Sequence, residues 1–183
     1  MNELIIYENK TTKIKNLITY FFIYSFLGWI LETIYAFLVH GHYVNRGFLI
    51  SPFCPIYGFG AIMLILLLKK SKGNYMFEFF YSAIIFTIFE YMASYILEVA
   101  FGLRWWDYTN DFLNLQGRVS LAYSIIWGVM GIFLTELLHP FIEKSVRKIK
   151  RKINVNLENI ILIVLTILII VDFTFCSIKI FTI

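Results

Sequence analysis

The sequence predicts an all-α fold, a polytopic membrane helix bundle of about five transmembrane helices plus a basic interfacial helix. Three observations predict it. Hydrophobic residues make up 60% of the 183 residues and charged residues only 15%, whereas soluble domains are about 45–50% apolar and about 25% charged. The apolar residues fall into runs of about 20, the length of helix that crosses a bilayer. Acidic residues stand inside these runs, where a lipid-facing helix does not carry them.

Five runs are long enough to be transmembrane spans. In chain order they cover residues 17–39, 48–68, 75–101, 119–138 and 157–178. A chain of this length leaves no room for a separate soluble domain beside them. We therefore expect residues 1–183 to form a single integral membrane domain.

Between the fourth and fifth runs, residues 141–153 predict an amphipathic basic helix. Ile142, Val146, Ile149 and Ile153 fall on one helical face, and six Lys and Arg residues occupy the other. This pattern is typical of a helix that lies on an anionic membrane surface, so membrane lipid is an expected partner. A solvated linker helix fits the same pattern.

The basic residues predict the orientation of the chain. Twelve of the 16 Lys and Arg residues lie in the N-terminal tail, in the loop after the second run and in the basic helix. These three segments share one side if five spans alternate. The other side receives only Arg46, Arg104, Arg118 and Lys179. Because positive charge accumulates in cytoplasmic loops, we expect a cytoplasmic N-terminus and an outside C-terminus.

The acids Glu32, Glu90, Glu98 and Asp172 lie within the predicted spans. A charge at the bilayer centre costs roughly 2.5–3.5 kcal/mol, so these acids indicate an interior polar cavity or a set of buried ion pairs. Counted from the cytoplasmic ends of their spans, Glu32 and Glu90 lie about 24 Å up a core about 30 Å thick. Their expected partners are the outward basic residues, with Arg46 near Glu32 and Arg104 near Glu98.

Two further segments point to the outer side of the membrane. The second span begins NRGFLISPFCPIYGFG, and its prolines predict a kinked or partly unwound helix, although a simple packing bend is the alternative. The loop GLRWWDYTNDFLNLQGR carries more hydrogen-bonding side chains than an interfacial anchor needs. We expect it to fold as a lid.

Three motifs, FLGWILE, NRGFLISPFCPIYG and WWDYTNDFLNLQGRVSLAYSIIWGVMG, resemble in this order the bacterial family called putative ABC-transporter type IV, or CmpB-like. The resemblance covers about Tyr20 to Gly131. It implies a permease-like role in the bacterial cytoplasmic membrane without naming a substrate. The matched positions are Gly28, Trp29, Glu32, Asn45, Arg46, Gly47, Pro52, Pro55, Tyr57, Gly58, Trp106, Asp107, Tyr108, Asn114, Gly117, Trp127 and Gly128.

The favoured function is a transporter component that binds a small solute or ion in an outward-facing polar cavity. The candidate ligand-binding residues are Glu32, Arg46, Tyr57, Glu90, Glu98, Asp107, Tyr108 and Asn114. Five spans are few for a complete carrier, and no G-x-x-x-x-G-K-[ST] motif is present. We therefore expect a homo-oligomer or a separate energising subunit as partner.

Two alternatives remain open. An intramembrane enzyme acting on a lipid or isoprenoid head group could use the two acids at one depth for acid–base chemistry. A non-catalytic scaffold or sensor would use the same acids only to hold the fold. No catalytic motif is recognisable, and His40 and His42 lack a third metal ligand at useful spacing, so neither a cofactor nor a metal is expected. The basic charge follows topology, and nucleic acid is not an expected partner.

Overall fold

The computed structural model describes residues 9–43, 47–69 and 71–182. Its elements are α1 (Lys10–His40), α2 (Pro55–Leu68), α3 (Tyr75–Phe101), α4 (Leu121–Ile132), a π-helix (Phe133–Leu138), α5 (His139–Lys150) and α6 (Val155–Thr182). Within these ranges the only β-type pairing is an isolated bridge between Leu115 and Val119. The predicted all-α fold class is confirmed.

Within the described ranges, four helices are long and apolar enough to cross a membrane. They are α1, α3, the continuous helix Leu121–Lys150 and the stretch Val155–Lys179, with 31, 27, 30 and 25 residues. The second predicted span differs, because α2 has only 14 helical residues. Residues 47–54 before it are not helical. The Pro52 nitrogen of this segment carries no hydrogen to donate, and Gly47 has a φ of 101° that favours glycine.

Side-chain caps and glycines set the ends of α1 and α3. The Asn9 side chain accepts from the backbone of Thr11, and the Asn74 side chain accepts from the backbone of Phe77 at 3.2 Å. Both helices stop at a glycine in the left-handed region, Gly41 after α1 and Gly102 after α3. The Asn9 cap starts α1 seven residues before the predicted apolar run, since the polar first turns are helical as well.

The basic segment continues α4 without a break. The π-helix joins α4 to α5, so the predicted helix 141–153 is the end of the long helix Leu121–Lys150. Pro140 lies in the first turn of α5. It has no backbone N–H, and the wide π turn before it accommodates that loss without ending the helix. Its position on a membrane surface stays a prediction.

The chain divides into two compact units, each described by itself below. The first comprises Met1–Ile62 with Asn154–Ser177, and the second Met63–Ile153 with Ile178–Ile183. The predicted single domain is not tested by this division and stays a prediction. Both units use glycine for close helix contact. A Cβ on Gly58 would overlap Ser25 of α1, and one on Gly131 would overlap Ser82 of α3.

Candidate functional site

In the first unit, Glu32 is held by a tyrosine from α2. The Tyr57 hydroxyl donates to Glu32 Oε1 at 2.5 Å. Gly28 lies one turn before Glu32 on α1, and a Cβ at Gly28 would overlap the Tyr57 ring. Because Gly28 has no Cβ, the Tyr57 ring can pack against α1, and its hydroxyl reaches Glu32 from there. The predicted partner Arg46 lies outside the described residues.

Also in the first unit, Asp172 of α6 binds the non-helical segment before α2. Its two carboxylate oxygens accept the backbone N–H groups of Ile50 at 3.2 Å and Ser51 at 2.7 Å. Cys176, one turn later on α6, lies 3.5 Å from the same carboxylate. A backbone that is not helical needs partners at membrane depth. Asp172 supplies them, which gives this acid a structural role.

In the second unit, Glu90 is a buried carboxylate held by two neutral donors. Glu90 is only 7% exposed. The Tyr108 hydroxyl donates to Oε1 at 3.0 Å, and Trp127 Nε1 donates to Oε2 at 2.9 Å. Among the described residues, no Lys or Arg forms an ion pair with it. Glu90 is thus a buried acid without a countercharge in the part of the chain that the structure describes.

The loop between α3 and α4 is folded on itself and delivers Tyr108 to Glu90. The Tyr108 N–H donates to the Gly117 carbonyl at 2.8 Å, and its ring stacks on Tyr123 at 4.2 Å between centroids. Burial, and then the neighbouring Glu90 carboxylate, raises the pKa of Tyr108. The hydroxyl therefore remains a hydrogen-bond donor at neutral pH.

Two predicted ligand residues, Asp107 and Asn114, make hydrogen bonds within this loop, and their binding of a ligand stays a prediction. The Asn114 amide donates to the carbonyls of Thr109 and Asp111, both at 3.0 Å, and its oxygen accepts from Gly117. The Asp107 carboxylate accepts from the side chain and backbone of Thr109, and these hydrogen bonds lower its pKa. The expectation of a folded loop agrees with these contacts.

Glu98 pairs with a different arginine from the one predicted. The Arg118 guanidinium lies 2.6 Å from Glu98 Oε2, whereas Arg104 pairs with Asp107 at 3.4 Å. Arg118 can pair with Glu98 because the loop turns back towards α3. The Trp106 Nε1 group, in the same loop, donates to the Arg118 carbonyl at 2.8 Å. The expected Glu98–Arg104 pair is therefore wrong.

The family follows from a comparison with protein-family models. The model of the family described as "Putative ABC-transporter type IV" matches residues 19–177. The chain belongs to this family. Neither the search of curated proteins nor the search of solved structures returned a match.

The residues that carry the resemblance to the putative ABC-transporter type IV family take part in the contacts above. Gly28, Glu32 and Tyr57, from the first two motifs, form one cluster in the first unit. Tyr108 and Trp127, from the third motif, meet at Glu90 in the second unit. The family motifs thus mark the two places where an acid within a span is hydrogen bonded to aromatic side chains.

Sequence reasoning missed a second acid cluster in this member of the family. Glu78 is fully buried near the start of α3, and Glu136 lies in the π-helix. The Gly73 N–H donates to both carboxylates, at 3.0 Å and 2.8 Å. Thr135 Oγ1 also donates to Glu78 at 2.9 Å. The only sequence signal was an acid within each apolar run, at FEFF and FLTELL.

A metal centre finds no ligand set among the described residues. No three His, Cys, Asp or Glu side chains within them gather closely enough to hold a metal ion. The chemistry that the described clusters can supply is hydrogen bonding, proton binding and the binding of a monovalent cation by carboxylates.

Proposed function

We propose that this chain is an integral component of a transporter in the bacterial cytoplasmic membrane and binds a small solute or ion at Glu90. Membership of the putative ABC-transporter type IV family and four long apolar helices support a transport-related membrane protein. The observation that carries the finer proposal is the Glu90 carboxylate, which is buried within a long apolar helix and has neutral partners.

Placing the ionised Glu90 carboxylate inside the bilayer is unfavourable. An ionised acid at the bilayer centre costs roughly 2.5–3.5 kcal/mol on insertion scales. Hydrogen bonds from Tyr108 and Trp127 offset part of this cost but bring no positive charge. A proton, a cation or a cationic group of a solute would complete the neutralisation. Such a ligand would bind Glu90 more tightly than it would bind an acid that is already paired with arginine.

The loop gives this binding point a gate. Tyr108 is fixed by its backbone bond to Gly117 and by stacking on Tyr123, and its hydroxyl ends on Glu90. A ligand that replaces the Tyr108 hydroxyl at the carboxylate must therefore displace a residue of the folded loop. In this proposal the loop closes over the ligand from the outside.

Further members of the proposed machinery come from the first unit and from other chains. Glu32 with Tyr57 is a second proposed binding point, and Arg46 is a proposed anion or carboxylate clamp. Since the sequence has no G-x-x-x-x-G-K-[ST] motif, ATP coupling would come from a separate subunit. A second copy of the chain is the other proposed partner.

The test uses ligand-dependent stabilisation of the purified protein. The thermal unfolding midpoint is measured in detergent with Li⁺, Na⁺, K⁺ and a panel of small amines, since a ligand that binds only the folded state raises it. We expect at least one of them to stabilise the wild type and the control variant Glu143→Gln, but not Glu90→Gln. Glu143 forms an exposed ion pair with Arg147 and suits a matched control. Equal stabilisation of Glu90→Gln, or none of the wild type, would contradict the proposal.

A scaffold role is the second candidate, and two acids favour it. Asp172 accepts from two backbone N–H groups of the non-helical segment before α2, and Glu98 is neutralised by Arg118. Both contacts hold the fold together without a ligand. If every acid proved to be used in this way, the protein would be a membrane scaffold, and the binding test above separates the two functions.

A further inference from the structure

The buried side of α3 is polar along its whole length. The buried residues of this helix are Glu78, Ser82, Glu90 and Ser94, and no apolar residue of α3 is among them. The apolar side chains of the same helix, such as Ile84 and Ile88, are exposed as they would be towards lipid. A helix that only packed against its neighbour could do so with small apolar residues. The polar set calls for a further explanation.

Each of these polar residues faces the helix Leu121–Lys150 or the loop before it. Glu78 accepts from Thr135, and Ser82 lies against Gly131. Thr87, half-buried on the same helix, donates to Ser124 at 2.7 Å. The list is completed by Glu90 with Trp127 and Tyr108, and by Ser94 with Arg118. We call the line from Glu78 through Ser82, Thr87 and Glu90 to Tyr108 the α3–α4 seam.

The seam is long enough to cross most of a bilayer. Glu78 and Glu90 are 12 residues apart, about 18 Å along a helix axis, and Tyr108 extends the line into the outer loop. The largest step lies between Ser82 and Thr87, about 7.5 Å of rise. One or two hydrogen-bonded water molecules span such a step, provided that polar groups hold them.

Ser82 supplies such a group at the point where the seam needs it. The residue is 0% exposed, and its hydroxyl has no hydrogen-bond partner among the described residues. A buried hydroxyl without a partner loses its hydrogen bonds to water and is destabilising. This cost is explained if Ser82 takes part in a hydrogen-bonded chain that forms when a proton or water passes.

At the inner end, two carboxylates share one donor. Glu78 and Glu136 both accept from the Gly73 N–H, and they also interact with each other. Carboxylates within membrane-spanning helices bind and release protons in relays of this kind. Among the described residues, Thr135 and the backbone of Gly73 donate hydrogen bonds to the pair. The pair is suited to take a proton at one end and release it towards Ser82.

We infer that the α3–α4 seam conducts protons between the Glu78–Glu136 pair and Glu90. The inference rests on the proposed function, because it makes the proton the ion bound at Glu90. Chains of acidic side chains within membranes serve as proton relays in other proteins, and hydroxyl groups both donate and accept a hydrogen bond. The proton passes as an ion, and no covalent bond other than O–H is made or broken.

The test measures proton flux through the full chain in liposomes. A trapped pH-sensitive dye reports the flux driven by a K⁺ gradient with valinomycin. We expect flux above that of protein-free liposomes for the wild type and for Glu143→Gln. Flux should fall to the protein-free level in Glu90→Gln and Glu78→Gln and decrease in Ser82→Ala. Ser82→Ala is the decisive variant if Glu78→Gln fails to fold, because it breaks no hydrogen bond between described residues.

The outcomes separate this inference from the proposed function. Flux that persists in Glu78→Gln and Ser82→Ala overturns the relay, and so does a wild type that equals protein-free liposomes. If Glu90→Gln loses cation stabilisation in either of these cases, the proposed function stands and the relay alone is wrong. Flux that depends on Glu78, Ser82 and Glu90 while none of the tested cations or amines stabilises the protein supports the relay. The proton is then the ion bound at Glu90, and the binding of a solute or metal cation there is the part of the proposed function that is wrong.

Discussion

Replacing Arg118 with alanine is expected to destabilise the second unit and to release its loop from α3. The Arg118 side chain is 11% exposed, with its guanidinium 2.6 Å from Glu98 and 3.2 Å from the Ser94 hydroxyl. The same group lies over two aromatic rings, 5.8 Å from the Tyr91 centroid and 5.5 Å from that of Tyr95. Alanine removes all four interactions at once.

The magnitude follows from these contacts. Glu98 is 42% exposed, so water can solvate it after the change and the ion pair contributes about 1 kcal/mol. Each partly exposed cation–π contact contributes about 0.5–1 kcal/mol. With about 1 kcal/mol for the hydrogen bond to Ser94, we expect Arg118→Ala to lower the free energy of unfolding by about 3–4 kcal/mol. Lysine should recover the charge but not the planar contacts, so Arg118→Lys should lie between the two.

The assay is equilibrium unfolding in mixed micelles, combined with limited proteolysis of the loop. Arg104→Ala is the matched control, because Arg104 is in the same loop but forms an exposed pair with Asp107. Its effect should be clearly smaller. A double-mutant cycle with Glu98→Gln isolates the ion pair. Equal effects of Arg118→Ala and Arg104→Ala would refute the reasoning, since burial and the tyrosine contacts would then contribute nothing.

Three further predictions concern single contacts. Gly28→Ala should lower the free energy of unfolding by about 1–3 kcal/mol because the new Cβ overlaps the Tyr57 ring; a thermal midpoint equal to that of the wild type would contradict this. In Asp172→Asn the amide oxygen can accept from only one of the two backbone N–H groups, and the other loses its acceptor. The free energy of unfolding should fall by about 1–2 kcal/mol, measured by thermal unfolding and by faster amide exchange before α2. Hydrogen bonds from Thr109 lower the pKa of Asp107, so its contribution to loop stability is present above the unfolded pKa of about 3.9 and is lost as the pH falls through the folded pKa. The protection factor of the Thr109 amide, which is its exchange rate relative to the intrinsic rate at the same pH, should therefore fall in acid in the wild type. Asp107→Asn should abolish this pH dependence; a wild type without it would argue against the sign.

Composition and the lengths of the apolar runs were enough to predict the fold class, because both depend directly on whether a helix is surrounded by lipid or by water. Runs of about 20 apolar residues predict spans whatever their neighbours are. The prolines at 52 and 55 likewise predicted a partly unwound start of the second span, and the helix begins only at Pro55. Such features depend on local chemistry, so a single sequence shows them.

Pairing could not be predicted with the same success, because it depends on where a loop turns back. Glu98 was expected to pair with Arg104, six residues away, but the loop returns Arg118 to α3 instead. Glu78 and Glu136 were overlooked since each alone resembles an acid near the end of a span. Only the fold brings them to one N–H group at Gly73.

The π-helix at Phe133–Leu138 has a mechanical consequence for α5, the basic end of the long helix Leu121–Lys150. A π turn holds one residue more than an α turn, so this wide turn sets the rotational phase of everything after it. Tightening it to a regular α turn would rotate α5 by about 100° and shift it by about 1.5 Å along its axis. Ile142 and Val146, now buried, would swing out, and another side of the helix would take their place. One turn of backbone therefore determines which side of the basic segment meets the rest of its unit.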